Sequence, residues 1–137
     1  RQAGRTPRIR GGTLVHEMAA RGSAVAIASD NTRDPFYAYG DLDMAEVWRE
    51  ATRILHLDHP VGDWPKAFSA TPSAIMGQPV RTLEEGMPAD LVVFGGREWT
   101  ELIASHESAR TVIRRGVPIE AAPPLYSELD TLWTSHP

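Results

Sequence analysis

The chain has 137 residues, 42% hydrophobic and 23% charged, with a formal net charge of −4. That suits one soluble domain with a core, is short for two, and lacks the basic stripe of a general nucleic-acid binder. With no cysteine, disulfides, thiolate metal sites and a Cys nucleophile are excluded, and no apolar stretch approaches the ~20 residues of a membrane span.

The lead-in carries four arginines (Arg1, Arg5, Arg8, Arg10) broken up by Gly and Pro, which reads as a solvated segment, not a binding arm. A cytoplasmic home is expected, compatible with the lack of cysteine, and no signal peptide opens the chain. It begins with Arg, compatible with a start inside a longer gene product. Residues 13–22, TLVHEMAARG, place Leu14, Val15 and Met18 at helical spacing and stop at Gly22. SAVAIAS (23–29) is a continuous apolar run, which predicts a strand buried on both faces and half of a βα repeat.

A long loop over 31–42 is punctuated by Pro35 and Gly40. Asp43 then opens a helix: Asp43-x-x-Glu46 is a capping-box pattern, and Met44, Val47, Trp48, Ala51 and Leu55 make one apolar stripe that Pro60 ends. A second helical piece near Asp63 turns Ala67 and Phe68 inward. A short helix follows, capped by Thr71 with Pro72 in its first turn and stopped by Gly77.

Beyond Gly77 the character changes. GMPADLVVFG (86–95) reads as a turn and a strand, WTELIASHES as a short helix, and RTVIRRGVPIE as two short strands around Arg115-Gly116. The tail from Ala121 holds Pro123-Pro124 and then one or two helical turns in YSELDTLW. A boundary near 78–84 divides the chain into an α/β part, 1–79, and a β-rich part, 80–137.

Asp30 is the strongest candidate for chemistry, because ligands gather at the carboxyl ends of strands in parallel α/β folds. On position alone, however, Asp30-Asn31-Thr32 reads first as a polar turn in which Asp bonds its own backbone. His16-Glu17 begins like a zinc-protease motif, but Ala20 stands where the second His is needed. His56 and His59 flank Asp58 at a helix end, where a histidine favours the dipole and capping outweighs metal binding. His106 and His136 carry no visible partner, Asp90 reads as a turn residue, and Trp48 as core. Phosphate-loop, dinucleotide and nucleophile-elbow motifs are missing.

The loop changes the weighting. SDNTRDPFYAYGDLDMAEV resembles the stretch after the last barrel strand in cytosine-deaminase-like members of the amidohydrolase superfamily, and EEGMPADLVVF resembles that superfamily's return into its small β domain. The likeness covers roughly residues 8–120. It implies an α/β fold in which this chain is the C-terminal segment of a (β/α)8 TIM-type barrel, the last strand and flanking helices, plus strands of a small β-sandwich domain. Since such a barrel takes about 250 residues, the chain would be incomplete on its own. The resemblance makes Asp30 a metal-ligating carboxylate that also shuttles a proton, and Asn31 and Phe36 substrate-binding residues. It gives Asp34-Pro35 the task of holding the loop.

Also implied are a divalent zinc or iron, with most ligands outside this chain, and hydrolytic deamination of a small amino-heterocycle, with cytosine to uracil and ammonia foremost. The expected partner is that small molecule, with neither nucleic acid nor membrane. An unfinished strand edge points to homo-oligomerisation or to further protein completing the barrel. Three alternatives remain: another ring or amide hydrolase of the superfamily, a non-catalytic binding or assembly module, and one half of a split enzyme.

Overall fold

A computed structural model of the chain describes residues 4–7, 11–59, 61–104, 109–120 and 125–133. In chain order the elements are α1 (Val15–Ala20), α2 (Met44–Leu55), two 3-10 turns (Val61–Asp63 and Pro65–Phe68), α3 (Ala70–Ile75), β1 (Leu91–Phe94), α4 (Trp99–Ala104), β2 (Arg110–Arg114), β3 (Val117–Ile119), a 3-10 turn (Tyr126–Leu129) and α5 (Asp130–Trp133).

The core is small and helical. Val15, Ala51, Leu57, Trp64 and Ala67 form one buried cluster, with Val25, Ile27, Leu55 and Phe68 packed partly against it. Leu57 is fully buried, a placement that stabilises by about 1.5–3 kcal/mol relative to exposure. Trp48 is buried too, with Trp99 set edge-on at 5.4 Å and Phe68 tilted at 6.1 Å. These aromatic contacts seat α4 and the Pro65–Phe68 turn on α2.

The helix of 13–22 is present in shortened form, but its buried face differs from the expected one. Val15 and His16 are buried, whereas Leu14 and Met18 are exposed. Thr6 supplies the reason. Its hydroxyl accepts the His16 N–H at 3.3 Å, its own N–H donates to Glu17 Oε1 at 3.2 Å, and the upstream segment is thereby pinned across the first turn. Asp43 caps α2 as its pattern predicts, accepting the Ala45 N–H at 2.9 Å. Glu46, by contrast, reaches past the cap to the N–H of Asp41, at 2.9 Å. The helix stops at Leu55, because His56 turns left-handed (φ 59°); Pro60 lies outside the described residues. α3 starts at Ala70, so Thr71 falls inside it; the cap position belongs to Ser69, whose hydroxyl donates instead to the Pro65 carbonyl at 2.9 Å.

Residues 23–29 depart most from expectation. They run extended but join no ladder. The Ser23 N–H closes the end of α1 by donating to the Met18 carbonyl at 3.1 Å, and the Ile27 N–H donates to the Ala67 carbonyl at 3.0 Å. Val25 and Ile27 are half-buried and their neighbours exposed. A strand buried on both faces needs strands beside it and layers above and below, and among the described residues nothing supplies them. The anticipated barrel strand is therefore an unpaired extended segment here.

The β-rich part forms a three-stranded antiparallel sheet in the order β1-β2-β3. Leu91 pairs with Ile113, and Val112 with both Val92 and Ile119. Arg115 (φ 50°) and Gly116 (φ 80°) make the two-residue turn between β2 and β3, the left-handed pair that matches strand twist. Val92, Val112 and Ile119 align on one face and are 45%, 38% and 46% exposed, so the described residues form a single sheet layer and not a sandwich. Asp90 ties the turn back to the start of β1, accepting the Arg115 N–H at 2.7 Å and pairing with Arg81 at 2.8 Å. Arg110 of β2 pairs with Asp43 at 2.6 Å, joining the sheet to the head of α2.

Candidate functional site

Between the extended run and α2 lies an open groove of about 830 Å³. Its lining is largely apolar, with Val25, Ile27, Val47 and Ile54 among its residues, and its polar members include Asp30, Asn31, Thr32, Glu46 and Glu50. An apolar cleft with a few converging polar groups is the ordinary form of a small-molecule site.

Asp30 sits where the extended run turns into the loop, with a left-handed backbone (φ 61°). Asp is among the few non-glycine residues that tolerate this region. Arg33 (φ 53°), Leu42 (φ 52°) and Gly40 (φ 94°) share the same sign of φ. Asp30, Arg33 and Leu42, the non-glycine residues of this set, store roughly 1–3 kcal/mol each. The loop must be held by its contacts, and it is.

Asp34 does most of the holding. Its Oδ1 accepts the N–H groups of Phe36 (2.8 Å) and Tyr37 (3.0 Å), and its Oδ2 accepts the Asn31 side-chain amide at 2.8 Å. The Tyr37 N–H first, then the Asn31 amide, hold the Asp34 carboxyl below the usual range against the opposing effect of partial burial. Arg33 closes the loop from the other side, donating to the Gly40 carbonyl at 2.9 Å and to Asp41 at 2.6 Å. Backbone bonds from Arg33 to Tyr39 and from Asp34 to Tyr37, both 3.1 Å, complete a small hairpin. Tyr37 and Tyr39 meet edge-on at 5.4 Å.

Of the residues the sequence nominates, Asp30 and Asn31 are brought together on the groove. Phe36 is not: it is 89% exposed and outside the groove lining. The aromatic that does line the groove is Tyr37. Nothing in the spacing of DPFYAYG separates Tyr37 from Phe36. Thr32 and Glu46 also line the groove and went unnominated.

Two of the histidines, His16 and His56, serve the fold. His16 Nε2 lies 3.0 Å from the Leu55 carbonyl, one of the unpaired acceptors at the end of α2, and its ring meets Trp64 edge-on at 4.9 Å. His56 is the buried C-cap of α2, and His59 lies 3.8 Å from Asp58. His106 and His136 lie outside the described residues. Among the described residues no three His, Cys, Asp or Glu side chains come together to hold a metal ion. Asp30 can offer one hard oxygen ligand, and a catalytic metal needs several N or O donors, so the residues present do not make a metal centre.

Known proteins bear on this geometry. The chain is 53% identical over 133 residues to a pterin deaminase of Rhizobium rhizogenes, a match that takes in 96% of this chain and 30% of that protein. It thus spans under a third of the length of the curated relative it matches. No solved structure matches it. The profile of the amidohydrolase family matches residues 1–119, and with Asp30, its loop and the return into LVVF all inside that span, the chain belongs to the amidohydrolase family.

Proposed function

We propose that this chain forms one wall of the active site of an amidohydrolase that hydrolytically deaminates an amino-substituted heterocycle. The run 23–29 is then the last strand of a (β/α)8 barrel, residues 1–79 the end of that barrel, and residues 80–137 part of its small β domain. The carrying observation is Asp30, held left-handed at the end of an extended apolar run and opening with Asn31 onto an apolar groove. Among amino-heterocycles, the name of the relative favours a pterin over cytosine. Both are flat rings with an exocyclic amine on a carbon bonded to a ring nitrogen.

Deamination adds water across that C–N bond. The water oxygen bonds the ring carbon, one water proton goes to the ring nitrogen and the other to the amine, and the exocyclic C–N bond breaks with its electron pair on nitrogen, releasing ammonia and leaving a ring carbonyl. The Asp30 carboxylate is an acceptor at the groove mouth, suited to take the water proton and pass it on. Tyr37 and the apolar lining suit a flat ring. Amidohydrolases generally work with a divalent metal; in this reading Asp30 is one ligand, zinc or iron is the candidate ion, and the remaining ligands come from elsewhere in the longer protein. A cytoplasmic setting and self-association accord with this reading.

Asp30→Asn in the full-length gene product tests it. Assayed on pterin and cytosine with metal content measured in parallel, it should lose at least about 100-fold in kcat, the scale of a lost proton-transfer group, and lose bound metal. Undiminished turnover and metal content would overturn the assignment. The 137-residue chain alone should neither deaminate nor bind metal tightly.

A further inference from the structure

We propose that Asp34 is a positioning residue: it locks the Asn31 amide with Nδ2 turned into the loop and Oδ1 presented to the groove, so that the site selects a ring bearing an N–H donor. The proposal rests on reading the groove as the substrate site.

An asparagine side chain is a donor at one end and an acceptor at the other, and its neighbours decide which end points where. Asn31 Nδ2 lies 2.8 Å from Asp34 Oδ2. The other carboxylate oxygen is occupied by two backbone N–H groups, from Phe36 and Tyr37. Those donors also keep Asp34 ionised below the usual carboxylate range, and an ionised carboxylate only accepts. A flipped Asn31 would set its carbonyl oxygen against that carboxylate, acceptor to acceptor at hydrogen-bond distance. One orientation survives.

Asn31 Oδ1 then has no hydrogen-bond partner among the described residues, and Asn31 lines the groove beside Asp30. A neutral acceptor fixed beside Asp30 matches a ring N–H that adjoins the carbon bearing the amine, while Asp30 is left to the water. A ring edge offering only lone pairs is repelled. The same contact explains why an amide, and not a carboxylate, suits position 31. A carboxylate there would face Asp34 charge to charge, unless the residue at 34 became a donor in turn.

The experiment uses the full-length gene product in four forms: unmodified, Asn31→Asp, Asp34→Ala, and the double variant Asn31→Asp/Asp34→Asn. Thermal melting tests the pairing without reference to catalysis. Asn31→Asp should lower Tm and the double variant restore most of it, because an amide at position 34 can donate to a carboxylate at position 31 and still accept both N–H groups. Failure of the double variant to recover would overturn the pairing.

Selectivity is read as the ratio of kcat/KM for pterin, whose ring N–H adjoins the amine-bearing carbon, to that of its ring-N-methyl derivative; turnover of cytosine, which has a lone pair at that place, in preference to pterin would overturn the selectivity claim. The unmodified protein should discriminate by roughly tenfold or more, the scale of one unmade hydrogen bond. Asp34→Ala, which frees the amide to flip, should shrink the ratio several-fold, and an unchanged ratio would overturn the selectivity claim. If the unmodified protein deaminates neither base, the deaminase reading fails while the melting data still decide the pairing.

Discussion

Asp30 shows what a single residue can and cannot reveal about itself. Its type and its place after an apolar run were legible, whereas its positive φ was not, because nothing in Ser29-Asp30-Asn31 demands one. The strain around it is set by contacts several residues away, chiefly those of Asp34 and Arg33. Gly40 is the most exposed to test. Its φ of 94° is open to few L-residues, and an added Cβ would lie 2.9 Å from Thr32 Cγ2. Gly40→Ala should therefore destabilise by about 1–3 kcal/mol, read as a lower urea midpoint with an unchanged m-value; a midpoint equal to that of the unmodified protein would show the loop to be unstrained. His16 carries the complementary lesson. It looked like half of a metal motif, but its chemistry is spent on the Leu55 carbonyl and the edge of Trp64, distant partners in sequence that no local pattern announces.

At the scale of elements, local chemistry was a good guide wherever the element closes on itself. The cap at Asp43, the stripe of α2 and the hairpin at Arg115-Gly116 all depend on neighbours within a few residues, and all three form, except that Met44 at the head of the stripe stays exposed. The run 23–29 depends on partners it does not carry, so its composition foretold a strand that the chain by itself does not build. The hairpin also supplies a pH test. The Arg115 N–H, with the charges of Arg114, Arg81 and Arg115 and against partial burial, holds the Asp90 carboxyl below its ordinary value. A depressed carboxyl contributes stability that is complete above the ordinary carboxylate pKa of about 3.9 and lost as pH falls through the lowered folded value. The Arg115 amide resonance should therefore stay native-like down through about pH 4 and shift only below it. In Asp90→Asn that acid-range shift should vanish; its persistence would assign the effect to another group.

At the scale of the whole molecule, the chain presents more surface than a folded monomer of its mass is expected to. A 15.1 kDa monomer is expected to present about 7,100 Å² of surface, and this chain presents 10838 Å². Among the described residues only Val15, Trp48, Ala51, Leu57, Trp64 and Ala67 are buried apolar side chains. Both the groove beside 23–29 and the face of Val92, Val112 and Ile119 are uncovered apolar surface, which a longer barrel protein would cover. Hydrogen exchange can test that reading directly. In the isolated chain the amides of residues 24–29 should exchange nearly unprotected, except Ile27, which donates to Ala67; in the full-length protein the whole run should be protected by orders of magnitude. Equal exchange in both would mean that 23–29 is not a barrel strand. Composition could not have disclosed this openness, since 42% hydrophobic residues describe a finished domain equally well.

Asp43 narrows what evolution can write at one position. Ser, Thr and Asn cap a helix about as well as Asp, so the head of α2 by itself would accept any of these residue types. The same carboxylate also reaches Arg110, far along the chain, at 2.6 Å. Of the letters the cap allows, only one carries the negative charge that pairs with Arg110, and a drift to any other would leave the helix intact while removing one tie to the sheet, with α4 still seated through Trp48 and Trp99.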